Sequence, residues 1–208
     1  MKPENRLRAQ FGQMTNYVAV GLLWLATSAL SLFILTGAAM TAAHKTARML
    51  ADRDKSVKIT QTFVRSLRHE GLVSTAIFLG SLLLTVGLFF AYNAAVNTHQ
   101  DWVVVFVIIS AVELAVFNLY VYPLVATFEH PSFIVLLKNT VLFAHRHLFT
   151  TLKLIGTVTV FVWLIVRVHP SLFILALSLY FWMATVHLET VFSPYISALQ
   201  EGSHEEVS

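Results

Sequence analysis

The sequence predicts an all-α membrane protein, a bundle of about five transmembrane helices plus one or two short cytoplasmic-side amphipathic helices. Of the 208 residues, 57% are hydrophobic and 12% are charged, whereas a soluble domain carries about 25% charged residues. The mean hydropathy of +0.71 exceeds what a water-soluble core requires. The apolar residues also fall into five runs, each long enough to cross the roughly 30 Å hydrocarbon core of a bilayer.

The first apolar run, residues 17–43, follows a polar and basic N-terminal segment, residues 1–16. The run is longer than the apolar core of about 7–15 residues in a cleaved signal peptide, so we interpret it as a retained span. At about 1.5 Å per residue it would reach roughly 40 Å, which is more than the hydrocarbon thickness. We therefore expect it to tilt, to bend near Gly37 or to project beyond the lipid.

The rest of the single transmembrane domain, 17–196, is divided by polar segments. A polar loop, residues 44–70, carries seven of the 14 Lys and Arg residues, and its second half has an apolar face opposite Arg65 and Arg68. Such a face is typical of a helix at a membrane interface. The further predicted elements are spans at 71–96, 102–128, 151–168 and 172–192, and amphipathic segments at 58–69 and 131–147. An acidic tail, 197–208, is expected to be disordered.

The distribution of positive charge predicts the orientation. With the 44–70 loop and the 129–153 segment on the cytoplasmic side, ten Lys and Arg residues lie inside and four lie outside. This arrangement places the N-terminus outside, although that segment is basic. If the N-terminus is inside, the first run must be re-entrant, and irregular backbone at that depth must be covered by protein. We favour five full crossings and keep the re-entrant run as the alternative.

An intramembrane polar site is predicted around Glu113, near the middle of the third span. An ionisable group at that depth is costly unless it is paired, hydrated or protonated. One interpretation is a proton or cation relay, or a substrate contact. The other is a protonated carboxyl group that forms a hydrogen bond with a neighbouring helix, for which the candidate partners are Asn93, Thr185 and His187.

A second candidate site is a narrow polar stripe on the 131–147 helix. Residues seven positions apart nearly complete two helical turns and therefore share a face. The stripe consists of Ser132, Lys138, Asn139, His145 and Arg146. Because an amide and a hydroxyl gain little from anionic lipid, we interpret the stripe as a docking surface on the cytoplasmic side. An ordinary interfacial helix is the alternative.

Several classes of function lack the residues that they require. The chain has no cysteine, which excludes thiolate metal sites and cysteine nucleophiles. Its histidines do not have the spacing of zinc ligands, and no catalytic or phosphate-binding motif is present. We therefore expect no enzyme activity and no cofactor. The pI of about 9.3 is interpreted as cytoplasmic anchoring in the lipid bilayer rather than as nucleic-acid binding.

Three stretches carry a family resemblance. Residues 120–129 have the pattern Tyr-x-x-Pro-Leu-x-Ala-x-Phe-Glu, followed by Leu-Lys-Asn-Thr and a basic His-Arg-His turn. The stretches GAAMTAA at 37–43 and QTFVRSLR at 61–68 fit the same family pattern. On these motifs the chain resembles the YesL-like family of small bacterial membrane proteins, over roughly residues 15–195.

This resemblance implies a class of function. Members of the YesL-like family are associated with bacterial uptake and breakdown of complex carbohydrates, beside ABC-type importers, and their biochemical role is undefined. We therefore expect a multi-pass protein of the plasma membrane that acts as an accessory or assembly subunit. A permease of such an importer is the candidate partner, and a homo-oligomer is compatible with this role. The alternative is a small transporter or channel that uses Glu113.

Overall fold

The structure is a computed structural model that describes residues 3–52, 57–128, 132–169 and 172–205. These residues form eight helices and no strand. The helices are α1 (Pro3–Leu30), α2 (Thr36–Ala51), α3 (Ile59–His69), α4 (Gly71–Asn97), α5 (Asp101–Thr127), α6 (Phe133–Arg146), α7 (Leu148–Arg167) and α8 (Phe173–Glu205). The all-α prediction is therefore confirmed for the described part of the chain.

Among the described residues, four helices are long and apolar enough to cross a membrane: α4, α5, α7 and the Phe173–Ala198 part of α8. Each of them coincides with a predicted span. The shorter helices α3 and α6 coincide with the two predicted amphipathic segments. The helical membrane-protein class is thus supported, whereas the predicted number of five spans is not confirmed.

The last helix extends beyond its predicted end at residue 192. α8 continues through Pro194 to Glu205, so the tail 197–208, predicted to be disordered, is helical as far as the described residues extend. A proline removes one backbone donor and can kink a helix without ending it. α5 likewise contains Pro123 and continues to Thr127. Both prolines therefore lie inside helices rather than at their ends.

The first apolar run is not a single helix. α1 ends at Leu30, residues 31–35 form a turn, and α2 begins at Thr36. The two helices are antiparallel, since the Tyr17 hydroxyl donates to the carbonyl of Ala47 at 3.3 Å. The predicted single span over 17–43 is therefore corrected to a helical hairpin. A chain that turns back in this way is what the re-entrant alternative requires.

The turn of this hairpin satisfies its own backbone donors. The amide of Phe33 donates to the carbonyl of Ser28 at 2.7 Å, and the amide of Leu32 donates to the carbonyl three residues before it at 3.1 Å. These are the two bonds of a Schellman motif. Ser31 Oγ then accepts a bond from the amide of Leu35 at 3.1 Å. Leu32 and Phe33 adopt φ values of 49° and 66°, a left-handed conformation that costs an L-residue roughly 1–2 kcal/mol.

The α2 helix lies in the centre of the bundle because its side chains are small. It packs against α1, α3, α4, α5 and α8. Its buried residues are Gly37, Ala38, Ala39, Thr41, Ala42, Ala43, His44, Thr46 and Ala47. The approach to α4 is very close at Gly37, where a Cβ atom would lie 2.2 Å from the Ser74 carbonyl oxygen and 2.6 Å from Phe78 Cβ. One turn further on, Thr41 Oγ1 and Ser74 Oγ share a hydrogen bond of 2.7 Å.

The α5 helix has an exposed part and a buried part. Residues 120–126 are buried without interruption, so protein surrounds this part of the helix on all sides. In contrast, only 17% and 11% of the apolar windows of α4 and α5 are buried, so most of this helix pair faces outwards. The core therefore gathers at the end of the bundle where α2, α5 and α8 meet.

We predict that Gly37→Ala destabilises the protein. The added methyl group would meet backbone atoms of α4 rather than a flexible side chain, so the two helices must separate, at a cost of about 1–3 kcal/mol. The matched control is Gly80→Ala on α4, where no atom lies within 4 Å of the added Cβ. Thermal melting in detergent should show a lower Tm for Gly37→Ala and an unchanged or higher Tm for the control. Equal melting of the two variants would contradict the close packing.

Candidate functional site

A polar cavity of about 620 Å³ lies between the C-terminal ends of α2 and α5, the beginning of α4 and the middle of α8. Its charged and titratable lining residues are Lys45, Arg48, Asp52, His69, Glu70 and Glu189. The end of α5, residues 125–128, forms an apolar wall. Binding sites commonly combine an apolar wall with a few placed polar groups, so this cavity is the candidate functional site.

Glu70 connects three helices at the edge of the cavity. It lies between α3 and α4, and its carboxylate accepts hydrogen bonds from Lys45 Nζ on α2 and from Ser66 Oγ on α3. The Glu70 side chain is only 11% exposed, and Ser66 is buried. Hydrogen bonds to a charged group are strong in such a setting, and removing one partner leaves the others poorly solvated. Glu70 therefore fixes the position of the charged end of α2.

A second ion pair joins α2 to α8 across the cavity. Arg48 Nε lies 3.2 Å from Glu189 Oε2, and the two side chains are 31% and 47% exposed. An exposed pair of this kind contributes about 1 kcal/mol or less to stability. Its charges remain accessible from the cavity, so this pair is suited to contact with a ligand or partner rather than to holding the fold together.

Behind these pairs lies a buried histidine. His44 packs edge-on against Tyr180 and Phe181 of α8, with ring centroids 5.9 Å and 5.2 Å apart. Burial lowers the pKa of His44 to about 3, because the charged imidazolium would lose its hydration. The ring is therefore neutral at physiological pH and acts as an aromatic spacer between α2 and α8.

The predicted intramembrane site is not assembled as expected. Asn93 donates to the carbonyl of Phe89 at 2.7 Å, and Thr185 donates to Phe181 in its own helix at the same distance. His187 lies half-buried on α8. The partner that the structure gives Glu113 is instead His145 of α6, with His145 Nε2 3.4 Å from Glu113 Oε2. Glu113 of the predicted intramembrane site and His145 of the predicted docking stripe therefore contact each other.

The members of the predicted docking stripe have separate local surroundings. Ser132 caps α6 by accepting a bond from the amide of Val135 at 3.3 Å. The guanidinium of Arg146 lies 5.9 Å from the centre of the Tyr195 ring. Lys138 is exposed and Asn139 is half-buried. The stripe is therefore not one continuous free line of polar groups, because Ser132, His145 and Arg146 already contact other residues of the chain.

His145 keeps a proton more readily than a free histidine. Its Nδ1 lies 2.9 Å from the carbonyl oxygen of Val141 in the preceding turn. This bond and the nearby Glu113 carboxylate raise the pKa of His145, because both favour the protonated ring. The contact with Glu113 is therefore an ion pair when the ring is protonated.

The cavity residues Lys45, Arg48, Glu70 and Glu189 were not among the predicted site residues. A partial signal existed on α2, where Lys45, Arg48 and Asp52 are spaced three and four positions apart and share a helix face. Among the residues that the structure describes, no group of three or more His, Asp or Glu side chains could hold a metal ion.

Comparison with known proteins gives one match. Residues 17–94 match the family model described as "Protein of unknown function, DUF624", a little over a third of the chain. The matched segment contains the hairpin from Tyr17 onwards, α3 and most of α4. No curated protein and no solved structure matches the chain.

We predict that the two ion pairs of the cavity differ in their effect on stability. Glu70→Ala should lower the free energy of unfolding by about 1–3 kcal/mol, since it leaves Lys45 and the buried Ser66 hydroxyl without their shared acceptor. Glu189→Ala is the matched control and should cost about 1 kcal/mol or less, since its pair is largely exposed. Thermal melting of both variants measures the difference. A larger effect of the Glu189 variant would reverse these structural assignments.

Proposed function

We propose that this protein is a multi-pass accessory protein of the bacterial plasma membrane that binds a membrane partner at its charged cavity. The observation that carries the proposal is the gathering of basic and acidic side chains at one end of an otherwise apolar bundle. Groups of both signs, held in fixed positions around an apolar wall, select a partner by complementary charge.

The hairpin supports placing this cavity on the cytoplasmic side. If α1 and α2 enter and leave the same leaflet, the chain crosses the membrane four times and residues 1–70 stay on one side. Ten of the 14 Lys and Arg residues, all within residues 1–70, then lie on that side, and Arg167 lies at the far end of α7. This asymmetry favours a cytoplasmic location.

The tip of the hairpin has the composition of a lipid contact. Leu30, Leu32, Phe33 and Ile34 are between 54% and 87% exposed. The amides of the turn bond within the turn, so the tip exposes few unpaired donors to hydrocarbon. The hairpin therefore anchors α2 from within the membrane while its charged end faces the cavity.

The partner class comes from the family resemblance. The YesL-like resemblance implies an association with carbohydrate importers of the ABC type, and the match to a family of unknown function over 17–94 is compatible with it. A permease has cytoplasmic loops between its spans. We propose that one such loop, with charges of both signs, occupies the cavity between Arg48 and Glu189.

The alternative function, a small transporter, depends on Glu113. Its carboxylate is more than half exposed on the outer surface of α5 and pairs with His145. This position fits a contact surface better than a path through the bundle. If the protein transports a cation or proton, Glu113→Gln should abolish uptake into proteoliposomes without changing the melting temperature. Under the accessory role there is no uptake to lose.

The docking proposal is tested by exchanging the charges of the cavity. In the double variant Arg48→Glu with Glu189→Arg, an ion pair between α2 and α8 is retained with its two charges interchanged. We expect the double variant to melt normally, and we expect at least a tenfold lower recovery of importer permeases during purification in mild detergent (about 1.4 kcal/mol).

The matched control is Arg167→Glu, which changes a charge at the opposite end of the bundle. Mass spectrometry should recover the permeases with this control as well as with the unmodified protein. Normal melting together with full permease recovery by the double variant would show that the cavity is not the docking site.

A further inference from the structure

The ion pair between Glu113 and His145 lies at an unusual place in the molecule. Glu113 is the 13th of the 27 residues of α5, so it is roughly 20 Å from either end of an apolar helix. The two side chains are nevertheless 54% and 53% exposed. The pair is therefore on the outside of the bundle, near the middle of a helix that is long and apolar enough to cross a membrane.

The pair is only partly satisfied by its own chain. His145 uses Nδ1 for the Val141 carbonyl and Nε2 for Glu113. In the described part of the chain, no second donor reaches the Glu113 carboxylate, which can accept several hydrogen bonds. In hydrocarbon such unused capacity is costly, and ionisable groups within membrane segments nearly always face protein or a water-filled space.

An apolar surface surrounds this pair. Its exposed members on α5 and α6 are Phe106, Ile109, Val112, Val141 and Leu142. The α5 residues are spaced three apart and lie along one side of the helix together with Glu113. We call these five residues, with Glu113 and His145, the α5–α6 face. It combines exposed apolar side chains with one acidic and one basic group.

We propose that the α5–α6 face is a homodimer interface, and that a second copy of this chain covers it. The face is self-complementary, because it carries one acid and one base side by side. A two-fold axis through it places Glu113 of each copy against His145 of the other, so that the four groups alternate in sign. Each carboxylate then lies between two imidazole rings, its own and the partner's, and no two like charges become neighbours. This inference goes beyond the proposed accessory function and uses a different surface.

The apolar part of the face fits the same occupant. Most of α5 is not buried within one copy, so it has area available for a second one. Helices associate in membranes through close packing and through hydrogen bonds between polar side chains. Both contributions are available here, since the exposed Ile109 and Val112 ridge leads directly to Glu113.

Cross-linking tests the position of the interface. The chain contains no cysteine, so a single substitution gives a single reactive site. Ile109→Cys in native membranes, treated with a short bifunctional maleimide, should give a covalent dimer of twice the monomer mass. The matched control is Leu83→Cys on α4, which is 74% exposed but lies outside the face. This variant should give no covalent dimer and should run at the monomer mass under denaturing conditions. A monomer with both variants, or equal dimer with both, would overturn the proposal.

Charge exchange tests the pairing itself. Glu113→His and His145→Glu each leave the face with two groups of one kind, so each variant alone should show at least tenfold less dimer. When the two variants are expressed together with different tags, they should recover the dimer as a mixed pair. Thermal melting checks that each variant is folded.

If the mixed pair does not co-purify, or if the Ile109 cross-link joins a different protein, the second copy is not the occupant. The recovery of importer permeases should be the same for all of these variants. The dimer proposal and the accessory proposal can therefore fail independently of each other.

Discussion

The contact between Gly37 and the backbone of α4 determines where the rest of α2 lies. Because no side chain separates the helices there, positions four residues apart along α2 meet α4 in turn: first Gly37 at Ser74, then Thr41 at Ser74 Oγ, then Lys45 at Glu70. The apolar packing in the interior thus positions the charged groups at the end. We therefore expect a larger residue at Gly37 to move Lys45 away from Glu70 and to change the shape of the cavity.

If the hairpin lies within the membrane as proposed, its turn places irregular backbone in an apolar layer. Unpaired amides at such a depth cost several kcal/mol each, and the turn avoids this cost through local bonds from Phe33 to Ser28 and from Leu35 to Ser31. These local bonds require Leu32 and Phe33 to adopt the left-handed conformation, which is energetically unfavourable for both residues. The segment of α1 to α4 that matches the family of unknown function contains both the turn and the Gly37 contact.

The helical class, four of the spans and both amphipathic helices could be predicted, because long apolar runs and one-sided faces depend on local sequence. A re-entrant first run was kept as an alternative, but the position of its turn at 31–35 could not be predicted, since leucine and phenylalanine occupy left-handed positions where glycine is usual. The end of the last helix was predicted too early, because the helix continues through Pro194. The pairs Arg48–Glu189 and Glu113–His145 join distant parts of the chain, and nothing in residue spacing indicates such contacts. The sequence shows that these four side chains are ionisable, but which of them pair with each other depends on tertiary packing.

The central claim is that the first apolar run turns back within the membrane and returns to the side from which it entered. Single cysteines at Gly12, Lys58 and Thr98, all exposed positions in a cysteine-free chain, test it by labelling sealed cells with an impermeant maleimide. The account predicts that Thr98→Cys is labelled, and that Gly12→Cys and Lys58→Cys are both protected until the cells are opened. Labelling of Gly12→Cys in sealed cells, with Lys58→Cys still protected, would mean that the run crosses the membrane once and would contradict the hairpin.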